Sequence, residues 1–460
     1  MMKNMTLEGM AGACRGIYRG PEDLKDREVT AITTDSRTVE PGCLFVPIVG
    51  ARADGHDFIP QVMEKGALCT LSERDLGEQS FPYIQVQSSL QAVKDLAEYY
   101  LSQLGIPVVG ITGSVGKTST KEMIAAILAR KYQVLKTQGN FNNELGLPLT
   151  VFRLRQKDQL AVLEMGISDF GEMSRLAKVA RPDTCVITNI GWCHLENLKD
   201  RDGIFKAKTE MFAFLKPGGR AVLNGDDDKL CQVEQVQGER PLFFGLEEKN
   251  DLWADQIESL GLKGTLCRIH TREGSFSVRI PMPGRHMVYN ALAGTGVGLL
   301  YGLNLQEIKE GIESLQPVSG RFRIVETGKY TVVDDCYNAN PVSMKASLDV
   351  LKDGLGRRVA ILGDMGELGE NEAQLHAQVG AHGAKAGIDA MICVGPLCRH
   401  MAQAAREENP DLTVISLENR EELLRQLPQL VREGDTILVK ASHFMGFERV
   451  VKALEQLARG

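Results

Sequence analysis

Val108-Val-Gly-Ile-Thr-Gly-Ser-Val-Gly-Lys-Thr118 is the stretch from which the fold is read. Val108–Ile111 is a β-branched, apolar run of strand type, and the helical pattern Lys121–Arg130 follows it closely. Between them, glycines at 110, 113 and 116 let the backbone turn tightly and aim N–H groups inward, and the helix N-terminus adds positive potential. This is the layout of a phosphate loop. Gly113, Ser114, Gly116 and Ser119 would cradle the phosphates of ATP, Lys117 would bring a point charge to the terminal phosphates, and the Thr118 hydroxyl would face Mg2+. The spacing departs from G-x-x-x-x-G-K-[ST], because Ile111 stands where that pattern has glycine. An ordinary glycine-rich strand-to-helix turn is the bland alternative.

Outward from this loop the chain reads as three α/β domains. Residues 1–86 carry short strand-like pieces at Glu28–Ile32, Cys43–Pro47 and Tyr83–Val86, split by Gly, Pro and Asp turns. Leu90–Leu104 has helical spacing and stops at Gly105 before Pro107. Residues 87–317 alternate strands (Val108–Ile111, Leu160–Met165, Thr184–Ile190, Arg220–Leu223) with helices, the pattern of a mainly parallel central sheet. Residues 318–460 repeat the alternation with strands at Tyr330–Asp334, Val359–Leu362, Ala390–Val394, Leu412–Ser416 and Thr436–Val439. Helices Met344–Leu351 and Arg420–Arg432 fall between them, giving a Rossmann-like, doubly wound sheet. A chain of 460 residues exceeds one hydrophobic core, and sites are expected in the clefts between domains.

Composition narrows the class. Apolar residues at 43% and charged residues at 25% describe a globular chain. A net charge of −7, from 53 basic and 60 acidic side chains, argues against nonspecific nucleic-acid binding. No apolar run reaches the ~20 residues of a membrane span, and the start Met-Met-Lys-Asn-Met lacks a signal peptide's apolar core. The ten cysteines are scattered, with no C-x-x-C pair. The expectation is a cytoplasmic protein with reduced thiols, working as a monomer.

Longer motifs carry a resemblance. Thr112-Gly-Ser-Val-Gly-Lys-Thr-Ser-Thr-Lys-Glu-Met123 is similar to the ATP loop of the Mur ligase family. Thr34-Asp-Ser-Arg37, Pro41-Gly-Cys-Leu-Phe45 and Asp54-Gly-His-Asp-Phe58 resemble that family's UDP-binding first domain. Asn140-Phe-Asn-Asn-Glu144 with Gly146-Leu-Pro-Leu-Thr150 resembles its loop for the muramoyl peptide. Asp334-Asp-Cys-Tyr-Asn-Ala-Asn-Pro-Val-Ser-Met344 and Gly363-Asp-Met-Gly-Glu-Leu-Gly369 resemble the member that adds D-alanyl-D-alanine, and the Asp-Asn-Pro-Arg run of the preceding ligase is absent. Three places depart from the family pattern: Val115, Ile167-Ser-Asp-Phe-Gly171 and Ala441-Ser-His443.

The resemblance implies an ATP-dependent amide ligase acting on UDP-N-acetylmuramoyl-tripeptide and D-alanyl-D-alanine through an acyl phosphate. This is the last cytoplasmic peptide addition in peptidoglycan precursor synthesis. It also assigns roles. Ser36, Asn140, Asn142 and Asn143 would contact the UDP-linked substrate; Asn338, Asn340 and Ser343 would face the dipeptide or the tripeptide end, while also forming a good turn and helix cap. Glu164 sits in an apolar strand, where a carboxylate is costly unless paired or metal-bound, and is the candidate metal carboxylate; an exposed strand end is the alternative. His194 matches the family's metal histidine. Lys208 matches its carbamylated lysine, which would support a second Mg2+; Lys206 is the fallback, and two solvent-facing lysines the bland reading. Asn290 would bond adenine, Arg321 would reach the phosphates on closure about a hinge near 318, and Asp335 would accept from the ribose. On pattern alone Asn290 is an early helix residue and Arg321 a surface arginine. A folylpolyglutamate-synthetase-like ligase and a non-ligating phosphate-loop ATPase switch are the rival readings.

Overall fold

The computed structural model describes residues 2–50 and 53–459; Met1 and Gly460, the outer ends of the expected first and last domains, lie outside the described residues, as do 51 and 52. Three sheets succeed one another along the chain. The first holds β1 (Ile17–Arg19), β2 (Ile32–Thr33), β3 (Leu44–Phe45), β4 (Cys69–Ser72) and β5 (Tyr83–Gln85), in the order β1-β5-β4-β3-β2. Only the β1–β5 pairing is antiparallel. β1 and β4 were not anticipated. Of the expected strand Glu28–Ile32 only Ile32 belongs to β2, because Glu28 makes an isolated bridge with Thr6 instead.

The Ser88 hydroxyl caps the next helix, Ser89–Leu104, by accepting from the Gln91 amide at 3.3 Å, and Gly105 ends it in the left-handed region. The central sheet follows: β6 (Val108–Thr112), β7 (Val134–Lys136), β8 (Leu160–Glu164), β9 (Thr184–Ile187), β10 (Arg220–Asn224), β11 (Leu242–Gly245), β12 (Leu252–Ser259), β13 (Thr265–Thr271) and β14 (Gly274–Ile280). Its order is β14-β13-β12-β11-β10-β9-β6-β8-β7. β6 is buried along its whole length, as a parallel strand covered on both faces must be. From β6 the chain runs outward to β7 and β8 on one side, then crosses to β9 on the other. The carboxyl end of β6 is therefore the switch point where such sheets bind ligands. The β12–β14 meander is antiparallel, a departure from the mainly parallel reading, and its part-exposed strands suit a sheet edge.

The last sheet holds β15 (Arg323–Glu326), β16 (Thr331–Asp334), β17 (Arg358–Gly363), β18 (Ala390–Val394), β19 (Thr413–Leu417) and β20 (Thr436–Lys440), ordered β15-β16-β20-β17-β18-β19. Alternation along β17 splits its side chains. Val359 and Ile361 join Leu423, Leu427, Val450 and Leu454 on one face, while Ala360 and Leu362 join Met344, Leu348, Val379 and Met401 on the other. Helices thus cover both faces, as the doubly wound reading requires.

Helices Glu372–Lys385 and Cys398–Glu408 touch through Gly380. A Cβ there would lie 2.0 Å from the Met401 carbonyl oxygen. Gly380→Ala should destabilise the last domain by about 1–3 kcal/mol despite alanine's better helix propensity. An unchanged urea or thermal melt would show that the two helices separate freely.

Candidate active site

The phosphate loop is shaped by the end of β9. Ser114 and Val115 donate their amides to the backbone and side-chain oxygens of Asn189, each at 3.0 Å, and the Thr188 hydroxyl donates to the Val115 carbonyl at 2.6 Å. Gly113 holds φ at +149°. Helix Lys117–Leu128 starts immediately, four residues before the helical pattern in the sequence, with Gly116 as its left-handed cap. The amides of its first turn have no acceptor within the helix and face the site. The Lys117 ammonium folds back to donate to the Gly113 carbonyl at 2.9 Å, a position from which it can swing to an incoming phosphate.

Glu164 ends β8 only 1% exposed. Its carboxylate accepts from the Thr118 hydroxyl at 3.1 and 3.2 Å and from Asn142 Nδ2 at 2.9 Å, with Lys121 Nζ 3.6 Å away. Thr118, Asn142 and Glu164 thus meet, and Glu164 is not an exposed strand end. A hydroxyl and a carboxylate side by side are hard oxygen donors of the kind Mg2+ takes. Lys121, itself 1% exposed, was not singled out; lying one turn after Thr118, it shares the sheet-facing side of the helix.

Lys208 is 1% exposed, has no ion-pair partner among the described residues, and is pulled down to about 8 by burial, with the Lys117 charge adding to the effect. Lys206 is exposed, its ammonium 6.0 Å from the Phe170 ring. His194 follows β9 in a left-handed conformation, and its Nδ1 lies 2.5 Å from a carboxylate oxygen of Glu367, in the Gly363–Gly369 motif.

A cavity of about 320 Å³ separates the middle and last domains. Ser114–Thr120, Asn224, Phe244 and Asn290 line the middle-domain wall; Arg321, Asp335, Asn338, Asn340, Ser343 and Lys440 line the other. The second wall is built largely from the loop after β16 and the start of helix Pro341–Leu351, with Lys440 from the end of β20. Asn290 is buried, accepts from the Thr120 hydroxyl at 3.0 Å, and sits near Phe244 and Met287 at the apolar end suited to a flat base. The Arg321 guanidinium lies 4.1 Å over the Tyr337 ring. Asp335 is engaged on both oxygens: one accepts from the Phe322 amide at 3.2 Å, the other from Lys440 at 2.6 Å and the Ser347 hydroxyl at 2.7 Å. Asn340 and Ser343 form a reciprocal capping box at the start of helix Pro341–Leu351, and Asn338 is exposed. Lys440, one residue beyond the expected strand, was missed; a lysine ending an apolar strand was the signal.

The other substrate candidates lie outside this cavity. Asn143 Oδ1 accepts from the Leu145 and Gly146 amides, fixing the loop, and Asn140 is exposed. Ser36 is in the first domain, where its carbonyl accepts from Lys65 Nζ at 2.8 Å. Asp364, His376 and Cys398 also cluster, but His376 Nε2 accepts from the Met365 amide at 2.9 Å and is not free for a metal.

Residues 28–132 match the Mur ligase family catalytic domain, 111–298 the Mur ligase middle domain, and 320–443 the glutamate ligase domain of Mur ligases. Over 98% of its length the chain is 35% identical to the UDP-N-acetylmuramoyl-tripeptide–D-alanyl-D-alanine ligase of Bacillus subtilis, covering 99% of that protein. The chain belongs to the Mur ligase family. Its fold superposes on the crystal structure of MurF from Acinetobacter baumannii with a TM-score of 0.90, at 32% identity over 99% of both chains. It also superposes on MurF of Thermotoga maritima in complex with ADP, with a TM-score of 0.83 at 30% identity over 93% and 98% of the two chains.

Gly113 offers a direct test of the loop. A Cβ there would lie 1.9 Å from the Thr188 hydroxyl, at a φ that L-residues avoid. Gly113→Ala should weaken ADP binding by about tenfold or more, since several loop amides move together. Titration calorimetry with unaltered affinity would show that the loop does not contact the phosphates.

Proposed function

We propose that this chain is an ATP-dependent ligase that joins D-alanyl-D-alanine to the free carboxylate of UDP-N-acetylmuramoyl-tripeptide in peptidoglycan precursor synthesis. The carrying observation is the shared cavity. A phosphate loop whose Thr118 is hydrogen-bonded to the buried Glu164 forms one wall, and the Asp335–Ser343 loop, which resembles that of the dipeptide-adding ligases, forms the other.

The tripeptide carboxylate attacks the γ-phosphorus of ATP, the bond to the bridging oxygen breaks, and ADP leaves an acyl phosphate. The dipeptide amine then attacks the carbonyl carbon, phosphate departs with the C–O bond electrons, and the amine sheds its proton. Lys117 and the first-turn amides hold the phosphates, and Arg321 extends toward them from the last domain. Asn290 and Phe244 hold the base. Asp335 anchors Lys440 beneath the cavity, and reaches a ribose hydroxyl on exchanging that partner. Asn142 and Asn143 position the muramoyl peptide from the middle domain, with Asn140 and Ser36 toward its UDP side; Asn338, Asn340 and Ser343 present the dipeptide. Thr118 and Glu164 are suited to hold one Mg2+, His194 and carbamylated Lys208 a second. Bound there, the ions would neutralise charge on phosphate and acyl oxygens. Closing the cavity keeps water from the acyl phosphate.

Carbamylation has physical support. An amine must be neutral to add CO2, forming an N–C bond and releasing a proton, and burial without a counter-ion favours neutral Lys208. The same reading divides the chain at 86/87 and 317/318. It makes the working unit a monomer, since both cavity walls come from one chain. A nucleotide-linked substrate and ten free cysteines, nine of them buried, fit the cytoplasm.

The deciding assay follows phosphate release and product mass with ATP, Mg2+, the UDP-linked tripeptide and D-alanyl-D-alanine, omitting each in turn. Turnover should require both substrates and yield a product heavier by one dipeptide less water; ATP hydrolysis indifferent to them would support the switch reading instead. For the lysine, protein equilibrated with carbon-13 bicarbonate should show a carbamate carbon resonance that survives Lys206→Arg and disappears in Lys208→Arg. A resonance lost in the first variant and kept in the second would move the modification to Lys206.

A further inference from the structure

His194 belongs to the middle domain, yet its nearest charged neighbour comes from the last. Glu367 Oε2 lies 2.5 Å from His194 Nδ1, in a close contact whose angle falls short of a regular hydrogen bond. The backbones meet as well, with the Leu195 amide donating to the Glu367 carbonyl at 3.2 Å. Both residues adopt left-handed conformations, His194 at φ +51° and Glu367 at φ +61°. Two non-glycine residues in that region on opposite sides of one contact are unusual, and each is held by its loop. On the far side, Gly366 donates its amide to Ser442 Oγ at 2.9 Å, and the Ser442 amide donates to the Asp364 carbonyl at 3.1 Å. The Glu367 loop is therefore fixed to the end of β20.

We propose that Glu367 is a positioning residue: the last domain supplies its carboxylate to His194 Nδ1, turning Nε2 toward the metal side of the ATP site only when the domains are docked. This rests on the reading of His194 as a metal ligand. A carboxylate on the far nitrogen of a ligating histidine fixes its tautomer and orientation and makes it a better donor. Here that support crosses a domain boundary. The metal side is complete only in the docked arrangement, so phosphoryl transfer is tied to the last domain being in place. ATP bound to the middle domain alone then lacks one oriented ligand.

The test uses the full chain and Mn2+ as the probe. Mn2+ affinity is read by electron paramagnetic resonance in the presence of a non-hydrolysable ATP analogue, and ADP affinity is measured separately in EDTA. Glu367→Ala should weaken Mn2+ binding tenfold or more, in the range typical for losing such a partner, with ADP affinity in EDTA unchanged. Glu367→Gln, which keeps an acceptor oxygen, should restore part of the loss. Mn2+ binding within twofold of the unaltered chain in Glu367→Ala, while His194→Asn loses it, would overturn the proposal and leave His194 a ligand. Parallel loss of Mn2+ and EDTA-ADP affinity would also overturn it, because Glu367 would then be holding the domain rather than the imidazole. Unchanged Mn2+ binding in His194→Asn would overturn the ligand reading itself.

Discussion

A carboxylate at the buried end of a central strand organises the middle domain. Removing an ionised carboxylate from water costs several kcal/mol even after relaxation, and Glu164 is nearly inaccessible. Its compensation comes from three directions: the Thr118 hydroxyl on the phosphate-loop helix, the Asn142 amide on the loop after β7, and the Lys121 ammonium one helical turn further on. Its own backbone amide donates to Thr137 Oγ1 at 3.0 Å. Lys121 also lies 3.3 Å from Glu122, which pairs with Lys136 on β7. Two lysines and two glutamates thus form a neutral chain from surface to site. The helix, the central strand and the loop carrying Asn142 share one charge, so none can shift without exposing an unpaired group.

The cavity follows from where two open sheets point their carboxyl ends. In the middle domain β6, β9 and β10 end at the phosphate loop, Thr188 and Asn224; in the last domain β16 and β20 end at Asp335 and Lys440. On each side a buried charge at a strand end is neutralised within its own domain: Glu164, behind the lining residue Thr118, by Lys121, and Asp335, on the opposite wall, by Lys440. Both walls are therefore electrically settled without ligand. A nucleotide with its cations can enter by exchanging partners, which costs less than creating an uncompensated charge.

Patterns local in sequence were legible. The apolar runs marked the buried strands β6, β8, β9 and β10 of the middle sheet and five of the six strands of the last, and Gly105 marked the end of its helix, because burial and capping leave signals within a few residues. Boundaries moved where a signal was shared: helix Lys117–Leu128 starts at Lys117 rather than Lys121, its first turn being written as phosphate loop. The antiparallel β12–β14 meander was missed, since its half-exposed strands lack the continuous apolar run of buried parallel ones. In the site, the residues of contiguous motifs could be named. Lys121, Lys440 and Glu367 gain their meaning from contacts reaching 43, 105 and 173 positions along the chain, which no local pattern encodes.

At two of the three places that depart from the expected pattern, the backbone or a neighbouring carboxylate maintains the geometry. Val115 contributes its amide and carbonyl to the loop, and neither depends on its side chain. In Ile167–Gly171, Glu172 accepts from the Ser168 and Asp169 amides and Glu210 from the Gly171 amide, two carboxylates outside the altered residues, while within them Asp169 Oδ1 accepts from the Phe170 amide at 2.7 Å. At Ala441–His443, Ser442 joins the last-domain loops, while the exposed His443 ring packs 5.3 Å from Tyr337, whose ring also underlies Arg321. There the substituted residue reaches a group at the cavity. A change at 443 thus acts on Arg321 through the shared aromatic ring, whereas a change at 115 leaves the backbone hydrogen bonds of its loop intact and changes at 168–170 leave those from the backbone amides to Glu172 and Glu210.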